Sequence, residues 1–238
     1  EGEQEIISNL STGYAAKDLY EVEKAYQIDW SSKTGHASIY STVEDLQLFA
    51  QAILDNRLLT AASWDKILQN HGQNVGYGWF IRDHLNRKRF QMNGRSPGFS
   101  SYFAIYPEEK LVVVVLSNNY ISLPYDIGQN LAALMLNEAT ESLNLSTKSI
   151  DKDQLKQLIG YYQFGEDFYR PNFKLSVKEV DGSLYTDWGA LVPVDEGSRA
   201  FSKFILRTYW SSIEFVRNKE GIIEKMKFDR FEGEKVAN

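Results

Sequence analysis

Residues 76–119 read GYGWFIRDHLNRKRFQMNGRSPGFSSYFAIYPEEKLVVVVLSNN, and this stretch decides the fold. Four aromatic or β-branched segments, 77–81, 89–92, 101–106 and 111–117, are separated by Asp-His-Leu-Asn, Gly-Arg-Ser-Pro-Gly and Pro-Glu-Glu-Lys. Apolar runs of strand length divided by turn residues predict an antiparallel meander. The Gly-Arg-Ser-Pro-Gly connection is the unusual one. Gly94 and Gly98 allow backbone conformations and close approaches closed to other residues, and Pro97 removes a donor where ordinary pairing is expected to stop.

Upstream, Ser41 followed by Glu44 has the form of a capping box, and Val43, Leu46, Phe49, Ala50, Ile53 and Leu54 recur at helical spacing, predicting a helix over 42–56. A shorter helix is expected over 61–69, with Trp64, Ile67 and Leu68 inward. Downstream, 124–139 carries Ile127, Leu131, Leu134, Met135 and Leu136, the pattern of a helix laid across the sheet. Polar residues accumulate over 143–153 and suggest a linker. Beyond it, strands are expected over 161–164, 173–180, 183–188, 200–206, 213–216 and 222–228, with Asp181-Gly182 as a two-residue hairpin turn and a longer turn over 218–221. Phe173, Leu175 and Val177 alternate with Lys174, Ser176 and Lys178, so one face should be buried and the other wet. The expected fold class is α+β: an antiparallel sheet with flanking helices over 1–145, then a small antiparallel barrel-like domain over 151–238.

A chain of 238 residues is long enough to bury a substantial core, and with no Cys it contains no disulfides. A net charge of -6 argues against binding along a nucleic-acid backbone. No apolar run reaches the roughly 18 residues of a membrane span. The partners expected are therefore small molecules or peptides.

Met92-Asn93-Gly94, Gly98-Phe99-Ser100-Ser101, Ile105-Tyr106-Pro107-Glu108 and the run 112–118 occur in one order. In that order they resemble the serine β-lactamase-like and penicillin-binding hydrolases of the class C kind, with D-alanyl-D-alanine carboxypeptidases, D-aminopeptidases and esterases among them. The segments 9–14 and 40–46 resemble further stretches of that family. The resemblance implies an acyl-enzyme hydrolase of amide or ester bonds in the cell envelope or outside the cell, with no cofactor. It also implies a lipocalin-like appendage after the catalytic domain. The family's Ser-x-x-Lys nucleophile and Tyr-x-Asn lie upstream of everything that aligns, so the chain reads as the C-terminal part of such an enzyme, inactive by itself. No initiator Met or signal peptide is visible at Glu1.

By the same resemblance Met92, Asn93, Gly94 and Arg95 stand where the family holds substrate, with the Arg95 backbone N–H completing an oxyanion hole. Met92 replaces the family's Lys or His and supplies neither charge nor a strong hydrogen bond. Asn93 can bond a substrate amide, and Arg95 can return a positive charge. Ser63 with Lys66 and Ser149 with Lys152 have the Ser-x-x-Lys spacing, but residues this common produce it by chance. Lys33-Thr34-Gly35 spells the family's third motif in a loop-like context. His36, His71 and His84 share no metal-binding spacing and read as loop residues. The pairs Tyr161-Tyr162, Phe168-Tyr169 and Tyr209-Trp210 are expected to pack rather than line a pocket.

Overall fold

The computed structural model describes residues 7–17, 21–28, 33, 35–37, 39–141, 150–194 and 202–237. The chain divides into two compact units, one formed by residues 1–15 and 24–141 and the other by 16–23 and 142–238. Most of the expected linker 143–153 lies outside the described residues.

Near the start, β1 (Tyr14–Ala16) and β2 (Val22–Lys24) pair with each other. The first unit then forms α1 (Val43–Leu54) and α2 (Ala61–Ile67). The cap of α1 is Thr42, one residue beyond the Ser41 of the expected box, and its side chain accepts from the Asp45 N–H. Thr60 caps α2 in the same way. The meander follows as β3 (Phe80–His84), β4 (Arg87–Ser96), β5 (Phe99–Tyr106) and β6 (Leu111–Ser117), paired in that order.

Two turns are tighter than the sequence suggests. Asp83 and His84 remain paired, and Leu85-Asn86 alone makes the first turn with φ of 54° and 57°. Both residues adopt the left-handed conformation that a two-residue hairpin of matching twist requires. The Gly-Arg-Ser-Pro-Gly stretch does not interrupt pairing either. Gly94↔Ser101, Arg95↔Ser100 and Ser96↔Phe99 continue the ladder, and only Pro97-Gly98 turns.

Alternation sends the two faces of this sheet to different partners. Phe90, Phe103 and Ile105 pack with Ala50 and Ile53 of α1, Trp64 of α2, and Trp79. Tyr102, Ala104, Tyr106 and Val113 pack with Ala132 of α3 (Pro124–Met135). The face of α3 departs from expectation. Ile127, Leu131, Leu134 and Met135 are exposed, and Gly128, Ala132 and Ala133 meet the sheet. Tyr102 explains the inversion, because a Cβ at residue 128 would run into its ring, so the sheet supplies the bulk and the helix supplies small residues.

The second unit opens with a helix, α4 (Lys152–Leu158), where part of the linker was expected. Leu155 and Leu158 are its buried face. An eight-stranded meander follows: β7 (Gly160–Phe164), β8 (Lys174–Val180), β9 (Ser183–Thr186), β10 (Gly189–Pro193), β11 (Lys203–Leu206), β12 (Ser211–Arg217), β13 (Ile223–Phe228) and β14 (Phe231–Val236). Pairing of β14 with β7 closes the barrel and removes both sheet edges. The expected turn at Asp181-Gly182 is present, with φ of 49° and 80°, as is the turn at 218–221.

Two of these strands are absent from the sequence reading. The segment 183–188 ends as a strand at Thr186, turns through Asp187-Trp188 and returns as β10. Asp229-Arg230 likewise turns β13 into β14. The interior is filled by aromatic and aliphatic side chains. Phe168 is its hub, stacked on Phe164 at 4.0 Å and on Trp188 at 5.5 Å. Tyr162 is fully buried and its hydroxyl donates to the Leu158 carbonyl. Ser176 breaks the simple alternation. It is buried because the Asp187 carboxylate accepts from both its hydroxyl, at 2.6 Å, and its N–H, at 2.8 Å.

Candidate active-site edge

The C-terminal half of β4 carries the expected site residues, and pairing alone fixes how its backbone is turned. Ser96↔Phe99 closes a two-residue turn and is therefore a hydrogen-bonded pair. Counting back along an antiparallel ladder, residues 94 and 92 bond to β5, while Asn93 and Arg95 turn their N–H and C=O groups to the opposite side. The strand β3 occupies that side only as far as Phe80↔Gln91. The backbone N–H of Arg95 thus faces the edge that β3 leaves.

The four residues do not act as one cluster. Met92 packs against the apolar cluster beneath α1 and α2. Asn93 and Arg95 are exposed on the other face, and the Arg95 guanidinium lies over the Tyr120 ring at 5.1 Å from its centroid. Gly94 lacks the Cβ that would press on the Ser101 hydroxyl. One residue missing from the sequence-based site is Lys33, whose ammonium donates to the Ser96 hydroxyl at 3.2 Å. Thr34 of that triplet lies outside the described residues, as does Ser149.

The turn below this edge is clamped by the segment around Gly13. Tyr14 N–H donates to the carbonyls of Gly98 and Asn118, at 3.3 and 2.9 Å, and its own carbonyl accepts from Tyr120 at 2.8 Å. Gly98 has φ of 84°, and a Cβ there would lie 2.6 Å from the Gly13 Cα. Two glycines back to back let the segment reach the turn. Beside it, Ser100 donates to the Asn119 carbonyl at 2.9 Å and its hydroxyl meets that of Ser122 at 2.6 Å.

Behind β4, on the α3 face, lies a polar group that sequence reasoning missed. Arg89 is 1% exposed, and donates to Gln129 Oε1 at 3.1 Å and the Tyr102 hydroxyl at 3.3 Å. Burial opposes its charge, but the Tyr102 and Tyr106 hydroxyls outweigh that and hold the guanidinium above its usual range. Burial raises the Tyr102 and Tyr106 phenols, so both stay neutral. His84 is not a loop residue; it ends β3, and its Nδ1 lies 2.7 Å from the Tyr106 hydroxyl. Burial first, and Arg89 second, push its pKa down. The signal was present as Arg87-Lys88-Arg89, a basic run inside a strand, where one residue had to face inward.

Ser63 is an unsuitable nucleophile. Its hydroxyl is 3.0 Å from that of Thr60, within the cap of α2. His71 stacks on Tyr77, with ring centroids 4.3 Å apart. Among the described residues no group of three or more His, Asp or Glu side chains is placed to hold a metal ion. No described helix is long and apolar enough to cross a membrane.

Residues 5–137, which contain this edge and the clamp beneath it, match the family model described as Beta-lactamase. The chain belongs to the beta-lactamase family. The match covers most of its first unit. A search of curated proteins found no match. Among solved structures the chain is similar to an octameric penicillin-binding protein homologue from Pyrococcus abyssi, at 21% identity over 82% of this chain and 47% of that one, with a TM-score of 0.40. It is also similar to SurE crystallised with D-Leu, at 13% identity over 82% of this chain and 50% of that one, with a TM-score of 0.36. The chain spans about half the length of these two solved structures.

Proposed function

We propose that this chain is the C-terminal part of a serine hydrolase that opens amide or ester bonds through an acyl-enzyme, its nucleophile lying outside residues 1–238. Its substrates are D-amino-acid peptides, β-lactams or small esters. Residues 1–145 form part of the catalytic domain, and 151–238 form a lipocalin-like appendage. The observation that carries this reading is the turned backbone of β4: Arg95 N–H faces the edge vacated by β3. An N–H so placed can stabilise the oxyanion of a tetrahedral intermediate. Asn93, on the same strand, bonds the substrate amide, Gly94 keeps the surface low, and Met92 acts as packing beneath the strand.

Arg95→Pro in the full-length protein removes the N–H without removing a β4–β5 ladder bond, because Arg95↔Ser100 is a non-hydrogen-bonded pair. Loss of one oxyanion donor slows acylation by about 10²–10³-fold. Arg95→Ala keeps the amide and should retain most of the rate. Equal rates for the two variants would refute the assignment.

A second reading, a non-catalytic binding protein on the same scaffold, is favoured by one observation. The position of the family's basic residue is taken by Met92, which packs into the apolar cluster. Failure of the full-length protein to form any acyl-enzyme, with its fold intact, selects this reading.

A further inference from the structure

We propose that the end of the barrel beside α4 binds a small aliphatic monocarboxylate, its carboxylate held by Lys235 with Arg217 close by, and its hydrocarbon laid on Ile222 and Ile223. A pocket of about 300 Å³ lies there, lined by Gln157 of α4, Gly221 and Ile222 of the turn before β13, Ile223, and Lys235 of β14. All five residues belong to the second unit. A volume of this order is at the lower end of those of small-molecule sites.

Lys235 is the unusual group. Phe231 and Gly233 on the same strand are buried, while Glu232 and Glu234 are exposed, so alternation turns Lys235 to the inward side of the barrel. Across the ladder it faces Tyr162, which is fully buried. Its stem passes over Gly160, where an added Cβ would lie 3.0 Å from Cε. The ammonium donates to the Gln157 carbonyl at 2.7 Å, in the last turn of α4. That bond satisfies a helix end and uses one of the three N–H groups. Arg217 converges on the same place, its Nη1 donating to Gln157 Oε1 and to the Gly221 carbonyl, each at 2.7 Å. These acceptors are all neutral, and among the described residues neither cation has a carboxylate partner. Burial alone pushes the Lys235 pKa down, with no carboxylate beside it to restore it. A half-buried cation is costly until an anion meets it. The other demand is apolar, because Ile222 stands 60% exposed on the pocket wall. A carboxylate carrying a short hydrocarbon chain satisfies both, whereas acetate or inorganic phosphate brings charge and leaves the isoleucines wet.

Hexanoate, hexan-1-ol and acetate separate the two demands, since the alcohol lacks the charge and acetate lacks the hydrocarbon. Each is titrated into the 238-residue chain with its isoleucine methyl groups 13C-labelled. Hexanoate is expected to shift the Ile222 and Ile223 methyl signals saturably and to bind about tenfold more tightly than either control. Lys235→Met, which keeps the stem and removes the charge, should bring hexanoate down to the level of hexan-1-ol. Ile222→Glu sets a carboxylate on the wall and should abolish hexanoate binding; its side chain is exposed, so the test survives if Lys235→Met fails to fold. Unmoved Ile222 and Ile223 signals, equal affinity of the wild-type chain for hexanoate and either control, or hexanoate binding unchanged by Ile222→Glu or by a folded Lys235→Met would overturn the proposal.

Discussion

Gly98→Ala isolates the close approach on which the β4–β5 turn depends. The substitution has two costs and one compensation. A left-handed φ costs a non-glycine residue about 1–2 kcal/mol. The new Cβ would lie 2.6 Å from Gly13 Cα and 2.8 Å from Ala25 Cβ, backbone and stem atoms that cannot rotate away. Overpacking of this kind adds about 1–3 kcal/mol. Loss of unfolded-state freedom returns about 0.4–1 kcal/mol. The sum is a destabilisation of about 2–4 kcal/mol.

Gly78→Ala is the control within the same unit. Its φ is 80°, close to the 84° of Gly98, but nothing lies within 4 Å of the added Cβ. Only the backbone cost and its compensation apply, so about 1 kcal/mol is expected. Urea unfolding monitored by hydrogen-exchange mass spectrometry on peptides of β4, β5 and β6 reads the first unit separately from the barrel. Amides of Tyr14 and Tyr120 should also lose protection in Gly98→Ala, because their bonds tie the Gly13 segment to the turn. Equal destabilisation by the two variants would refute the close-approach argument.

Arg89→Ala strips Tyr102 and Gln129 of a cationic donor and leaves a cavity, and should cost the first unit about 3–5 kcal/mol in urea unfolding; Arg89→Met, which keeps the volume, should cost less. Lowering pH should destabilise this unit through His84. Its folded pKa is depressed by burial, Arg89 and Arg87 against the opposing pull of Glu141, so the neutral ring is favoured on folding. That contribution is complete above the ordinary value near 6.5 and is lost as pH falls through the folded pKa. His84→Asn should flatten this part of the pH–stability profile, and an unchanged slope would remove His84 from the account. In the second unit, Phe168→Ala should cost about 3–5 kcal/mol and abolish the near-ultraviolet signal of the stacked rings while leaving the first unit folded.

The meander was legible because its apolar runs have strand length and its breaks are rich in turn residues. The exact turns were not, since Leu85 in a left-handed conformation is dictated by hairpin twist rather than by its own preference. Helix α3 was legible as a helix, but not its buried face. Periodicity ranks Leu131 and Leu134 above Gly128 and Ala132, whereas the bulk of Tyr102 on the sheet decides the reverse. The helix α4 hid in a polar stretch because Leu155 and Leu158 alone carry its packing. At the candidate site the residue types were visible in sequence, but the direction of the Arg95 amide follows from register. The contact of Lys33 with Ser96 joins residues 63 positions apart and had no local signal.

Fluorophosphonate labelling, read by intact mass and peptide mapping, tests the central claim most directly. The account predicts one adduct per full-length protein, on a serine outside residues 1–238, and none on the isolated chain. An adduct on Ser63 or Ser149 of the isolated chain, or no adduct on the folded full-length protein, would contradict it.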